Sequence, residues 1–204
     1  MFDEIEKLMP PPGHFTVISK EDLVEKHSKQ SPKKEGSKLD IFKEPKKAKK
    51  VYSIYVACWN NAVSLLNEAK LLYQNGRYAR SVALGIAAWE ELGKSQIAAD
   101  YYSGVISDVL YKEAFRNHGA KTSYLVRTGV AGLEHFTVAT QPEVGARLEK
   151  IRQNALYVSE TNDPEQALTK EHAEFVLQRV SDHLEYIRYA EEFNGRIGSK
   201  ALFK

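Results

Sequence analysis

An all-α fold, an up-down bundle of four to six helices with a flexible N-terminal arm, is the architecture this sequence predicts. Three observations predict it. Five of the seven prolines fall within residues 10–45, and none occurs between Lys46 and Gln141. Apolar residues recur at spacings of three and four through long segments, and no period-two alternation persists anywhere. The chain also punctuates itself with Asn75-Gly76, Ser103-Gly104 and Asn194-Gly195, the stops expected of helices joined by short links.

The arm comes first. Residues 1–47 carry the proline cluster together with the stretches SKQSPKKEGSK and KEPKKAKK, a composition that resists burial. They read as a Lys/Pro-rich segment, partly disordered or loosely docked, with short helical pieces about Asp3–Met9 and Ser19–His27. Such an arm is either a solvated tail or a segment that docks on the core or on nucleic acid. The bundle takes residues 48–204, with no second domain and no internal repeat.

The first helix is expected from about Ala48 to Gln74. Its apolar positions Ile54, Cys58, Ala62, Leu65, Leu66, Ala69 and Leu72 lie on one face. A second runs from about Arg77 to Tyr102, a short third over Ser107–Asn117, and a fourth from about Ala120 to Val138. Pro142 suits the first position of a fifth helix reaching Ser159, with Leu148, Ile151, Ala155 and Val158 as core positions. Residues Thr161-Asn162-Asp163-Pro164 read as a loop. A last helix spans about Thr169 to Phe193, with Thr169 as N-cap.

Composition narrows the class. The chain has 204 residues, enough for one domain with a real core. Its hydrophobic content is 43% and its mean hydropathy −0.45, the profile of a soluble globular protein. No stretch is apolar for long enough to span a bilayer, and MFDEIEKLMPPPG lacks the layout of a signal peptide. Cys58 is the single cysteine, so no disulfide forms within the chain. A cytoplasmic location is the expectation. Residues 1–50 hold twelve Lys, no Arg and nine acids, whereas the rest of the chain is close to neutral. Overall charge makes no case for duplex nucleic acid.

One stretch stands out, AAWEELGKSQIAAD at residues 87–100, where Glu90, Glu91 and Lys94 interrupt an apolar run. Glu90 and Lys94 are four apart with Glu first, the favourable order for a pair on one face. An intrahelical pair explains Lys94 without any function. Gly93 argues for more, because glycine costs about 1 kcal/mol against alanine inside a helix. That cost points to a close packing contact or to space needed beside the carboxylates. A second polar group, AFRNHGAK, supplies His118 and Lys121, and histidine suits proton transfer near neutral pH. A third, EKIRQNALYVSE, supplies Arg152 and Tyr157, either of which also reads as an ordinary solvated or core-edge residue. Cys58 reads as a small core residue. No metal or other cofactor is indicated, since Glu134-His135 and Glu171-His172 lack the Glu-x-x-His spacing of a bundle metal site. Glycine-rich phosphate loops and nucleophile elbows are also absent.

The sequence resembles a known family. Asn60 and Ala62 in the first helix, then LLYQNGRYARSVALGIAAWEELGKS, FRNHGAKTSYL and IRQNALYV, resemble the AbiV-type abortive-infection proteins of the HEPN superfamily over residues 55–160. The paired motifs Glu-Glu-x-Gly-Lys and Phe-x-x-His-x-x-Lys, about two dozen residues apart, carry most of the likeness. The resemblance implies an HEPN bundle, a homodimer, a toxin-like role in phage defence, and metal-independent ribonuclease chemistry at an Arg followed after four to six residues by His. This sequence departs from that pattern. Arg179 and His183 have only three residues between them, Arg127 and His135 have seven, and Arg152 is followed at the right distance by Tyr157.

Two functions follow from different classes. In the first, the chain is an RNA-cleaving or RNA-binding effector. Glu90, Lys94, His118 and Lys121 are then the catalytic set, with His118 or Glu90 as base, and Arg152, Tyr157 and Glu91 contact the substrate or its phosphate. In the second it is a non-catalytic interaction protein that binds a phage or host protein, and the same groups form a polar core that fixes helix register. A small-molecule or nucleotide-binding sensor that uses the same pocket is a third option.

Overall fold

The computed structural model describes residues 5, 8, 9, 36–116, 121, 142–160 and 162–194. Six helices are defined among them: α1 (Pro45–Gln74), α2 (Tyr78–Tyr102), α3 (Asp108–Arg116), α4 (Pro142–Leu156), α5 (Pro164–Ala167) and α6 (Lys170–Asn194). The described residues contain isolated bridges but no strand. The all-α expectation therefore holds. The helix expected over Ala120–Val138 lies outside the described residues apart from Lys121, which is helical.

Two of the three glycine stops work as the sequence suggested, and Gly195 lies outside the described residues. At the end of α1 the Gly76 N–H donates to the Tyr73 carbonyl (3.0 Å) and the Arg77 N–H to the Leu72 carbonyl (2.9 Å). Gly76 has φ 71°, the left-handed conformation that makes this pair of bonds possible. Gly104, with φ 72°, does the same after α2: its N–H meets the Tyr101 carbonyl (3.1 Å) and the Val105 N–H meets the Asp100 carbonyl (2.8 Å). Carbonyls that a helix end leaves open are thereby satisfied without a side chain.

Helix starts differ from expectation in two places. α1 begins at Pro45 rather than Ala48, because proline fits the first turn, where its missing N–H is not needed. The Lys-rich run that follows is then helical, as straight-chain side chains allow. Asn162 and Asp163 lie in the expected loop, Thr161 lies outside the described residues, and the single turn α5, which the sequence did not suggest, begins at Pro164. Asp163 is its N-cap and accepts the Glu165 N–H, and Pro164 is buried.

The end of α4 is a third difference. The helix stops at Leu156, not Ser159. The Asn162 side-chain amide donates to the carbonyls of Asn154 (2.8 Å) and Tyr157 (2.9 Å), closing the helix end from outside. Val158, expected in the core, is 78% exposed as a result. Leu148, Ile151 and Ala155 are buried as the spacing indicated.

α2 is the centre of the molecule and packs against each of the other five helices. Eighteen of its residues are buried, so it is apolar nearly all round rather than on one stripe. Two apolar clusters form along it. The larger joins Ala79–Leu92 of α2 to residues of α1, α4 and α6, and also includes Ile5, Leu8 and Met9. The smaller joins Ile97–Tyr102 to the first half of α1, to α3, and to Leu39 and Ile41. Small residues on α2 meet partners inside the chain: Gly85 faces Val176 of α6, and Ala88 and Trp89 are fully buried.

Candidate functional site

The polar residues of α2 lie where the buried helix meets residue 121. Lys94 is hydrogen-bonded to the Glu91 carboxylate one turn back, and its amine is 3.8 Å from Glu90 Oε1. Lys121 Nζ approaches the same Glu90 oxygen at 3.6 Å. Glu90 thus links two cations, one from its own helix and one from a segment distant in sequence. The four side chains retain little exposure, 12% for Glu90, 17% for Glu91, 21% for Lys94 and 9% for Lys121.

Gly93 explains how Lys121 arrives there. A Cβ built on Gly93 would overlap the Lys121 carbonyl oxygen and stand 2.9 Å from the carbonyl carbon. The backbone at 121 therefore rests directly on α2, a contact that a side chain at 93 would forbid. The sequence offered two readings of this glycine, and the close contact is the one observed.

Electrostatics follow from this packing. Burial works to lower the Lys94 pKa, but the hydrogen bond to Glu91 and the charges of Glu91 and Glu90 outweigh it and raise it. Cys58 of α1 is buried beside the cluster. Burial, and next the negative charge of Glu91, push its thiol up to about 11, so it is protonated at neutral pH and is no nucleophile there. The sequence placed Cys58 in the core, and it is buried; that it borders Glu91 and Lys94 was not legible.

The third polar group divides. Arg152 is held within α4 by Glu149, with Nε donating at 2.8 Å and Nη2 at 2.7 Å. Gln153 donates to the same carboxylate at 2.6 Å. The bond to Glu149 raises the Arg152 pKa, and the charge of Glu90 adds a smaller share, which places the guanidinium within electrostatic reach of the α2 cluster. Tyr157 lies beyond the helix end and is 64% exposed. Sequence reasoning missed Glu149, although its spacings of three to Arg152 and four to Gln153 were the signal. His118 lies outside the described residues. Of the seven residues singled out, Glu90, Glu91, Lys94 and Lys121 come together, Arg152 borders them, and Tyr157 faces solvent.

Among the described residues no group of three or more His, Cys, Asp or Glu is placed to hold a metal ion. No helix among them is long and apolar enough to cross a membrane. Residues 50–185 match the family HEPN_AbiV, described as AbiV. The chain belongs to the AbiV family of HEPN proteins. No curated protein and no solved structure matches it. The family match begins five residues into α1 and ends within α6, so it contains every polar group described above.

Proposed function

We propose that this chain serves phage defence as an HEPN-fold binding protein, recognising a phage or host protein, with its α2 polar cluster acting as a structural junction. One observation carries the reading: each described cation at the candidate site already has a carboxylate. Lys94 is bonded to Glu91, Lys121 is paired with Glu90, and Arg152 is held twice by Glu149. An RNA phosphate would have to displace these partners, whereas phosphate sites owe their affinity to cations that neutralise the backbone. Paired charges under little exposure suit a junction that fixes which helix faces meet.

A metal-independent ribonuclease is the second reading. The observation favouring it is that two cations from separate segments, Lys94 and Lys121, meet the candidate base Glu90 at 3.8 and 3.6 Å. In that case His118 or Glu90 takes the 2′-hydroxyl proton, and Lys94, Lys121 and Arg152 stabilise the phosphorane charge. Tyr157 would donate a proton to the leaving 5′-oxygen or a hydrogen bond; its reference pKa of about 10 makes it a poor base at neutral pH. The homodimer and the cytoplasmic setting belong with either reading.

Incubating purified protein with total and transfer RNA in EDTA, beside folded Glu90→Ala and His118→Ala variants, separates the two. The binding reading expects no cleavage by any of the three. Cleavage by the wild type that both substitutions abolish would overturn it and establish the nuclease.

A further inference from the structure

The residues ahead of the family match reach into both apolar clusters. Ile5, Leu8 and Met9 belong to the larger one, with exposures of 0%, 5% and 0%. Their spacing of three and four sets them on one side of a helical turn, and the Met9 N–H donates to the Ile5 carbonyl at 3.0 Å. Leu39 and Ile41 belong to the smaller cluster. Backbone contacts reinforce that second anchor. The Asp108 N–H donates to the Ser37 carbonyl at 2.9 Å, and Lys38 forms an antiparallel bridge with Ser107. Gly36 lies so close to the Asp108 and Val109 side chains that a Cβ there would collide with them. None of these anchoring residues at 5–41 falls within the matched span of 50–185.

The two anchors sit at different ends of α2. The larger cluster takes Ala79–Leu92 and the smaller one takes Ile97–Tyr102. α2 has 25 residues and is about 37 Å long at 1.5 Å per residue. Residues 10–35 join the anchors, and a chain of that length reaches up to roughly 86 Å when extended. Covalent geometry therefore leaves ample slack. The first anchor is held by its own contacts rather than by a taut connection.

We propose that the segment around Ile5–Met9 is an intramolecular clip, a one-turn apolar element that docks in cis on a seat in the family bundle. The seat belongs to the cluster that α1, α2, α4 and α6 share, and its occupant is this chain's own N-terminus. Among the described residues three buried side chains hold it, and as a clip it separates without unfolding the bundle. Releasing it uncovers apolar surface beside α2 and leaves the smaller cluster, with its own anchor, intact. The arm is then neither a free tail nor an ordinary helix of the bundle.

The test uses the full chain with a site-specific protease sequence inserted within residues 26–34. After cutting, gel filtration and mass spectrometry read whether the N-terminal fragment travels with the bundle. Retention is expected for the wild type. In Ile5→Asp/Met9→Asp, folded before cutting as judged by circular dichroism, retained fragment should fall at least about tenfold, since each apolar contact is worth roughly a decade of affinity. Release of the wild-type fragment on cutting would overturn the clip. So would a double variant that is unfolded before cutting, since the segment would then be integral core; Leu8→Ala provides a milder check, expected to fold and to retain less fragment. Retention only in a species of twice the mass would assign the seat to a second copy and overturn docking in cis.

Discussion

Two polar regions of this molecule use the same residue types to different effect. At the centre of α2, Glu90 joins Lys94 of its own helix and Lys121 from elsewhere, and the backbone at 121 rests on Gly93. At the end of α4, Arg152 and Gln153 are both satisfied by Glu149 within one turn, and the chain then turns outward through Tyr157 and Val158. The first region binds parts of the fold together. In the second, the bonds of Glu149 to Arg152 and Gln153 are made inside one helix, and Asn162 closes the helix end from just beyond it. A charged pair is informative about tertiary structure when its partner is distant in sequence and its surroundings are dry; a pair three or four apart on a helix forms in any case.

Substitutions that press on this contrast should rank accordingly. Gly93→Ala has the largest expected effect, because the new methyl meets backbone rather than a side chain that can swing away; a loss of about 3 kcal/mol in urea unfolding is expected. Gly85→Ala is the matched control. Its Cβ would meet only the Val176 side chain at 2.5 Å, and a loss of about 1 kcal/mol is expected. Equal losses at the two glycines would remove the argument for a tight backbone contact at 121.

Next comes Glu90→Ala, which leaves the buried Lys121 amine without this carboxylate. About 2 kcal/mol should be lost, against about 0.5 kcal/mol for Glu149→Ala, whose bonds to Arg152 and Gln153 are made within one helix. A double-mutant cycle between Glu90→Ala and Lys121→Met should show coupling, and a cycle with near-zero coupling would reduce the α2 cluster to the status of the α4 one.

A pH effect is expected from a third kind of polar contact, one both local and buried. The Thr169 N–H donates to His172 Nδ1 at 3.0 Å at the start of α6, and Thr169 Oγ1 lies 2.9 Å from the same nitrogen. That bond needs a neutral ring, and burial lowers the His172 pKa below 6.5, with the charge of Glu171 opposing it weakly. The unfolded chain therefore takes up this proton first. Stability from His172 is complete above pH 6.5 and declines as pH falls through the lowered folded value. His172→Gln should flatten urea-midpoint profiles in that range, and an unchanged slope would mean that other groups set it.

The smallest effects are expected at Tyr157→Ala and Val158→Ser, each within about 0.5 kcal/mol in thermal unfolding. A larger loss at Val158 would mean that the apolar position read from helical spacing is in use after all.

Much of the fold was legible. The Asn75-Gly76 and Ser103-Gly104 stops, Pro142 at the start of α4 and Thr169 at the start of α6 all depend on groups within a few residues, and such groups are adjacent in sequence too. The candidate site was legible in part. Glu90, Glu91 and Lys94 stood out because charges interrupted an apolar run, and Gly93 because it is costly in a helix. Val158 was misplaced because a periodic pattern does not reveal that the Asn162 side chain, a few residues further on, will close the helix end. Glu149 was passed over because its three- and four-residue spacings look like ordinary surface pairing.

The sequence by itself determined five of the six described helices, most of their ends and the family, since these depend on local backbone energetics and on motif residues at short spacing. Only the tertiary structure decided that α2 is buried on nearly every side, that Lys121 meets Glu90 over Gly93, that Cys58 borders Glu91, and that Ile5, Leu8 and Met9 enter the larger core. Each of those contacts joins residues far apart in the chain. Their partners are chosen by which apolar faces bury one another, and no local pattern encodes that choice.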